Sequence, residues 1–158
     1  MPELTEAELQ ALPGKLPLDF GEQVRAALVE DVGSGDISAA LIPVEAQSNA
    51  QVISREDTVL AGTAWFDEVF RQLDANVQIE WQARDGEKIL AEQTLCTLRG
   101  PARALLTGER TALNFIQLLS STAAQTRRFV HAVRDTGASI LDTRKTVPGL
   151  RTAQKYAV

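Results

Sequence analysis

The spacing of apolar side chains predicts two helices in the first half of the chain. Apolar residues recur at helical spacing over residues 18–30 and again over residues 63–73. The first pattern is carried by Phe20, Val24, Ala27 and Leu28. Gly33 ends the first helix. Asp36 is then placed to cap a short turn over residues 37–41, because its carboxylate accepts hydrogen bonds from backbone N–H groups left free at a helix start.

Apolar and polar residues alternate in the stretches around the second helix. Residues 50–55 and 76–82 alternate as half-covered strands do, and residues 92–99 are a third strand candidate. These elements predict an α+β domain with a small antiparallel sheet over residues 18–100. The preceding residues 1–17 are polar and interrupted by proline and glycine, so we expect a loosely held entry segment there.

The second part of the chain is dominated by a long apolar stretch. Between Ala102 and Arg134 no proline occurs, and the one glycine is Gly108. We expect a helix that begins at Thr107 or Gly108 and is buried on most of its faces, since its apolar residues are too dense for a helix with one covered face. Residues 101–137 are therefore predicted to form a helical connector between two domains, and a dimer contact is the alternative role of this helix.

The last residues, 138–158, predict the start of a second domain. ASILDT (138–143) has the pattern of a short strand, and a helix is expected to begin near residue 151, after Pro148 and Gly149. A strand with polar residues at its carboxyl end, followed by a loop and a helix, is typical of a β/α unit, and α/β barrels bind ligands at that end of their strands. The predicted fold class is α/β. One β/α unit cannot bury its own strand, so we expect the chain to be truncated.

Composition excludes several classes of protein. Of 158 residues, 44% are hydrophobic and 23% are charged, which is typical of a globular domain rather than a disordered chain. The single cysteine, Cys96, excludes an internal disulfide framework and a multi-cysteine zinc site. No apolar run approaches the ~20 residues of a membrane span, and the acidic N-terminus lacks the pattern of a secretory signal. We expect a cytoplasmic protein without a membrane partner.

The net charge of −5 conceals a gradient along the chain. Residues 1–100 carry 18 acidic and 7 basic side chains, whereas residues 101–158 carry 3 acidic and 9 basic ones. An acidic first part and a basic second part indicate two structural units. Any site that binds anions is therefore expected in the second part.

The polar cluster DTRKT (142–146) is the strongest candidate site. Arg144 offers a planar fork for a carboxylate, Lys145 a mobile charge for a phosphate, and Thr143 a neutral hydroxyl donor. This set suits a small polyanionic substrate, and the alternative is a solvated loop with two ordinary cations. Arg110 follows Glu109 at the expected start of the apolar helix, where a capping ion pair is the alternative to a binding role.

Three other features favour structural roles. EDVGSGD (30–36) lacks the lysine of a phosphate-binding loop and the ligand spacing of a calcium loop, so we interpret it as a turn in which Asp36 is the cap. His131, near a helix end, is expected at the surface. Cys96 is expected to be a small core residue, because no basic neighbour is evident that would lower its pKa.

Three segments resemble motifs of one enzyme family, and they follow in the family's order. They are EDVGSGDISAALIP (30–43), GPARALLTGERTALNFIQLLS (100–120) and ILDTRKTVPGLRTAQKYAV (140–158). The chain thereby resembles quinolinate phosphoribosyltransferase. The resemblance implies phosphoribosyl transfer from phosphoribosyl pyrophosphate to quinolinate with decarboxylation, using Mg²⁺, in NAD biosynthesis. It also implies an N-terminal α/β sandwich domain, an incomplete C-terminal α/β barrel and a homodimer.

The resemblance further implies which residues bind substrate. Thr143, Arg144 and Lys145 match the family's TRK cluster, with Arg144 expected to grip a quinolinate carboxylate and Lys145 to lie near the phosphoribosyl donor. Arg110 matches the arginine that reaches into the partner subunit's site. No catalytic residue and no metal ligand is assigned in this sequence, because the family's later motifs would lie beyond Val158. We therefore expect the chain alone to be catalytically inert.

Two alternatives to this function stay open from the sequence. A molybdenum-transport-associated homologue shares the fold, and the residue that would distinguish it belongs to a motif outside this sequence. The other alternative is a non-catalytic module that binds an anionic partner. We expect no nucleic-acid partner, since the chain has no recognised reading motif and only 5% aromatic residues for base stacking.

Overall fold

A computed structural model describes residues 15–158, so the predicted entry segment lies almost wholly outside the described residues. The helices are α1 Phe20–Val32, α2 Ile37–Ala40, α3 Thr63–Leu73, α4 Ala102–Val133 and α5 Arg151–Ala157. The strands are β1 Gln47–Ile53, β2 Thr58–Val59, β3 Gln78–Trp81, β4 Lys88–Ile89 and β5 Thr94–Pro101. This mixture of helices and strands confirms the predicted α/β class.

The predicted antiparallel sheet is present, with β5 at its centre. The strand order is β1–β5–β3, and both neighbours run antiparallel to β5. Because β5 is paired on both edges, Leu95, Cys96 and Leu98 are buried. β2 and β4 form a separate two-stranded antiparallel pair. The prediction that Cys96 is a core residue is therefore confirmed.

Close packing of α3 against α4 forms the centre of the core. Trp65, Phe66 and Val69 on α3 are almost completely buried, as the apolar spacing predicts. Gly62, just before α3, has a φ of 102°, and a Cβ there would lie 2.8 Å from Leu119 Cδ1 on α4. Glycine meets both requirements, because it adopts positive φ without strain and leaves room for Leu119.

The predicted start of the long helix was wrong by five or six residues. α4 begins at Ala102, directly after β5, and Pro101 occupies its N-cap position. Its buried residues lie along one stripe rather than on most faces, and Leu106 and Glu109 on another face are exposed. Gly108 lies inside the helix, on the stripe that packs against α3. The high density of apolar residues reflects this close contact rather than burial all round.

The predicted strand over residues 138–143 was also wrong. These residues are exposed, with 86% of the Leu141 surface accessible, and none of the strands within residues 15–158 pairs with them. A strand requires hydrogen bonds to a neighbouring strand, which explains why the segment stays irregular. The following helix, α5, forms where it was expected. In the described part of the chain, no helix combines the length and apolarity needed to cross a membrane.

Candidate functional site

The TRK cluster lies in the loop that connects α4 to α5. Thr143, Arg144 and Lys145 are all exposed. The Lys145 backbone N–H donates to Thr143 Oγ1 at 3.2 Å, which fixes the backbone between the two residues. Within residues 15–158, the charged groups of Arg144 and Lys145 make no hydrogen bond or ion pair. Both cations are therefore available to an anionic ligand.

Contacts with α5 hold the loop on both sides of the cluster. Asp142 accepts from the Thr143 N–H at 2.6 Å and forms an ion pair with Lys155. Burial alone would raise the pKa of Asp142, but the bonds from Lys155 and the Thr143 N–H outweigh it and lower that pKa. On the other side, the Val147 N–H donates to Gln154 Oε1 at 2.7 Å. Asp142 is thus paired with Lys155 and does not neutralise Arg144 or Lys145.

A polar network then attaches α5 to the start of α1. Thr152 Oγ1 donates to Asp19 Oδ2 at 2.9 Å, and Gln23 Nε2 donates to the same Asp19 oxygen at 2.9 Å. Gln23 Oε1 accepts from the buried Trp65 Nε1 at 2.9 Å. Gln23 therefore links the buried Trp65 to Asp19, which in turn holds α5 through Thr152.

Tyr156 makes the second attachment of α5. Its hydroxyl donates to Asp85 Oδ2 at 2.7 Å, and its ring lies 5.1 Å from that of Trp65, centroid to centroid. Asp85 also accepts from the backbone N–H groups of Gly62 and Thr63, so it caps α3 at the same time. Burial and the bond to Asp85 raise the pKa of Tyr156 above its usual range. The tyrosine is therefore a neutral structural donor.

Arg110 makes no hydrogen bond or ion pair with the TRK loop, and its partner is not Glu109, the residue of the capping alternative. Its Nη1 forms an ion pair with Asp31 Oδ1 at 2.8 Å, near the end of α1, and not with Glu109. The predicted capping pair fails because α4 begins at Ala102, which places Glu109 two turns inside the helix. The Arg110 side chain is 75% exposed, whereas Asp31 is 19% exposed.

The four predicted binding residues thus occupy two separate places. Thr143, Arg144 and Lys145 are consecutive in one loop. Arg110 makes no hydrogen bond or ion pair with any of them in the part of the chain that the structure describes. Two exposed cationic positions in one chain are compatible with a site shared between subunits, and they do not form one closed site in a single copy.

The cavities agree only in part with these positions. A groove of about 1180 Å³ lies between the sheet and the exposed side of α4, with Phe66, Phe70 and Leu98 in its lining. None of the four predicted binding residues lines it. A smaller cavity of about 310 Å³ lies beside the TRK loop, lined by Thr146, Arg151 and their neighbours. Arg144 and Lys145 precede this cavity in the loop without lining it, and we place the candidate site at the loop because these two cations, unpaired within residues 15–158, lie there.

The residues described do not provide a metal site. No group of three or more histidine, cysteine, aspartate or glutamate side chains within residues 15–158 has the geometry to hold an ion. Asp142 is paired with Lys155 and Asp31 with Arg110, so neither carboxylate is available to a metal ion. Burial raises the pKa of Cys96 to about 12, which excludes it as a nucleophile at neutral pH. No step through Mg²⁺ can be derived from these residues.

Sequence reasoning missed the acids that organise both cationic positions. Asp31 was treated only as part of a turn, although an acid in the last turn of a helix opposes the helix dipole, which is a detectable signal. Asp85 precedes Gly86 in a pattern typical of a turn, and nothing in that pattern indicates a helix cap. Their partners lie 79 and 71 residues away in sequence, and no local pattern specifies pairs at that separation.

Family models match nearly the whole described chain. The model "Quinolinate phosphoribosyl transferase, N-terminal domain" matches residues 36–120, and the corresponding C-terminal domain model matches residues 122–158. Solved structures agree with this assignment. The nicotinate-nucleotide pyrophosphorylase of Francisella tularensis aligns with a TM-score of 0.85 and 44% identity, covering 90% of this chain and 52% of that one. NadC from Streptococcus pyogenes aligns with a TM-score of 0.83 and 39% identity, covering 89% and 51%.

Curated relatives carry matching names. A Bacillus subtilis protein named "Probable nicotinate-nucleotide pyrophosphorylase [carboxylating]" is 42% identical over 130 residues, which cover 82% of this chain and 45% of the relative. A tobacco protein named "Quinolinate phosphoribosyltransferase [decarboxylating] 2b, mitochondrial" is 36% identical over 148 residues, covering 92% and 42%. The chain therefore spans a little under half the length of the curated relatives it matches.

Proposed function

The chain belongs to the quinolinate phosphoribosyltransferase family, and from this membership we propose the reaction of the protein that carries it. The protein transfers the phosphoribosyl group of phosphoribosyl pyrophosphate to quinolinate. The products are nicotinate mononucleotide, pyrophosphate and carbon dioxide, which assigns the protein to NAD biosynthesis. In this chain, Thr143, Arg144, Lys145 and Arg110 bind the substrates.

One observation supports this proposal above the others. Arg144 and Lys145 are adjacent exposed cations with no internal partner in residues 15–158, and the loop that carries them is tied to α5 on both sides. A solvated loop with ordinary cations would not require such attachment. Preformed positive charge is what a substrate with two carboxylates and a donor with several phosphate oxygens need, because charge-assisted hydrogen bonds are the strong ones.

The residue types fit the chemistry of the proposed reaction. The pyridine nitrogen of quinolinate supplies the electron pair for the new bond to ribose, while pyrophosphate leaves with the electrons of the old bond. The protein therefore contributes positioning and charge stabilisation rather than a covalent intermediate. Decarboxylation then leaves an electron pair on the ring carbon, which takes up a proton from solvent to give nicotinate mononucleotide, and a nearby cation such as Arg144 lowers the energy of the state before protonation.

The assembly and domain division complete the proposal. Residues 18–100 form the N-terminal sandwich domain, residues 101–137 the connector, and residues 138–158 the start of a barrel domain. Two copies pair so that Arg110 of one reaches the TRK loop of the other, which accounts for the separation of the two cationic positions. Mg²⁺ accompanies the phosphoribosyl donor on ligands outside residues 15–158. We propose the cytoplasm as the compartment, which cell fractionation can test.

Product formation by the full-length protein tests the reaction. The protein is incubated with quinolinate, phosphoribosyl pyrophosphate and Mg²⁺, and nicotinate mononucleotide is quantified by chromatography. Lys145→Ala is expected to lower kcat/KM by about 10²–10³-fold, the usual loss for one charge-stabilising group. Lys88→Ala, which removes an exposed lysine on β4, is the matched control and should retain full activity. Absence of product from the wild-type protein would refute the proposed reaction.

Subunit mixing tests the shared site. Arg110→Ala and Lys145→Ala chains are each expected to be nearly inactive as pure dimers. After exchange of equal amounts, half of the dimers are mixed and each mixed dimer has one intact site, so about a quarter of the wild-type activity should return. If exchange is demonstrated by mass spectrometry and no activity returns, Arg110 does not act in the partner's site.

A further inference from the structure

The position of Asp31 is unusual for an acidic residue. Asp31 lies in the last turn of α1, where the negative end of the helix dipole disfavours a carboxylate, and that turn contains no basic residue. The side chain is also only 19% exposed. A partly buried acid at an unfavourable helix end needs a specific partner, and the partner here is the exposed Arg110.

The loop from Asp31 to Asp36 holds one turn of α4 through two carboxylates. Asp36 Oδ2 accepts from Thr107 Oγ1 at 3.0 Å, and Asp31 Oδ2 accepts from Thr111 Oγ1 at 3.2 Å. The two threonines are four residues apart, so they lie on one face of the helix. Asp36 is itself held as the cap of α2, where it accepts from the Ala39 N–H at 3.0 Å. Thr111 therefore holds one oxygen of the Asp31 carboxylate, while the other oxygen pairs with Arg110.

Asp31 occupies only part of the Arg110 guanidinium. The ion pair uses Nη1, at 2.8 Å from Asp31 Oδ1, and the remaining N–H groups have no partner among residues 15–158. A guanidinium has five N–H donors in a planar fork, so the Nε and Nη2 edge can still bind a carboxylate or phosphate. The Arg110 side chain is thus held through Nη1, while Nε and Nη2, unpaired within residues 15–158, are free to bind a ligand.

We propose that Asp31 is a positioning residue for Arg110, holding its guanidinium in the orientation that engages the substrate. This role rests on the proposed function, in which Arg110 binds substrate in the partner subunit. An exposed arginine samples many rotamers, and ordering it on binding costs affinity. Asp31 restrains the Arg110 side chain before the substrate binds, so the Nε and Nη2 donors already have the orientation that the substrate needs.

A competing role for the same contact predicts the opposite result. If Asp31 only neutralised Arg110, its removal would strengthen the field that attracts an anionic substrate, and KM would fall. If Asp31 positions Arg110, its removal frees the side chain and KM rises. The direction of the KM change therefore separates the two roles.

Steady-state kinetics of the full-length protein tests the proposal. The Arg110→Lys variant first identifies the substrate that Arg110 binds, as the one whose KM rises. Asp31→Ala is then expected to raise the KM of that substrate by about two- to tenfold, with kcat unchanged. Asp31→Asn, which keeps the shape and one acceptor oxygen, should lie between wild type and Asp31→Ala. Adding Asp31→Ala to Arg110→Ala should lower the residual kcat/KM no further, because the effect of Asp31 on substrate binding passes through Arg110, although its bond from Thr111 is lost as well.

Controls separate the proposal from general effects of charge and stability. Glu30→Gln removes a neighbouring exposed charge with no contact to Arg110, and its KM should equal that of wild type. Unchanged or lower KM in both Asp31 variants would overturn the positioning role, as would a further loss in the double variant. Absence of turnover in the wild-type protein would instead overturn the proposed function and, with it, this role.

Discussion

Replacing Gly108 by alanine tests how tightly α3 and α4 pack. A Cβ at this position would lie 2.6 Å from Phe70 Cε1 and 3.0 Å from Leu73 Cδ1. Phe70 is 3% exposed and its ring lies 5.2 Å from that of Phe66, so a ring displaced by the new methyl group would have to leave this packing and move towards the groove that it lines. We therefore expect the added methyl group to strain the core.

Two opposing contributions set the magnitude. Replacing glycine by alanine in a helix interior stabilises the folded state by about 0.5–1 kcal/mol, because glycine loses more backbone freedom on folding. Overpacking a tight core costs about 1–3 kcal/mol. The contacts below 3 Å involve an aromatic ring rather than a flexible chain end, so the second contribution is larger. We expect Gly108→Ala to lower the free energy of unfolding by about 1–2 kcal/mol, and Tm by about 2–4 °C for each kcal/mol.

Urea unfolding followed by tryptophan fluorescence measures this change, since Trp65 lies in the affected core. Gly137→Ala is the matched control, because a Cβ there meets no atom within 4 Å. Phe70→Leu combined with Gly108→Ala should be about as stable as Phe70→Leu alone, since the smaller side chain removes the clash. A Gly108→Ala protein as stable as wild type, or strictly additive effects in the double variant, would refute the packing argument.

Three further predictions concern ionisable groups. Cys96, with a pKa raised to about 12 by burial, should resist iodoacetamide at pH 8 and react only when urea unfolds the protein. Tyr156→Phe should lower the free energy of unfolding by about 1.5 kcal/mol in the same urea assay, because the bond to Asp85 is lost. Desolvation by its neighbours raises the pKa of Asp67 although its surface is exposed, so a small contribution to stability is present at low pH and lost as the pH rises through the folded-state pKa. Asp67→Asn, which keeps an acceptor for Trp81, should therefore raise Tm at pH 7 and not at pH 3.

Local pattern was enough to predict most elements of the first hundred residues. The range of α3 was predicted to the residue, and the Asp36 cap was confirmed, because both depend on neighbours within four positions. The start of α4 was missed because Gly108 was interpreted as a helix boundary. Its role is to admit Phe70 from another helix, which is a tertiary contact. The segment 138–143 was mispredicted for the converse reason, since its strand-like pattern has no neighbouring strand to pair with in residues 15–158.

The candidate site shows the same division between local and distant information. The TRK loop was predicted as an anion-binding position from residue types alone, and its exposure fits that prediction. The acids that shape both cationic positions were not predicted, because charge was considered only as a gradient along the chain. In three dimensions the two parts of that gradient interleave: Asp31 pairs with Arg110, and Asp19 and Asp85 hold α5 through Thr152 and Tyr156. The acidic first part is therefore the support on which α5 and the TRK loop are positioned, and Arg144 and Lys145, which it leaves unpaired within residues 15–158, are the cations that we propose bind the substrates.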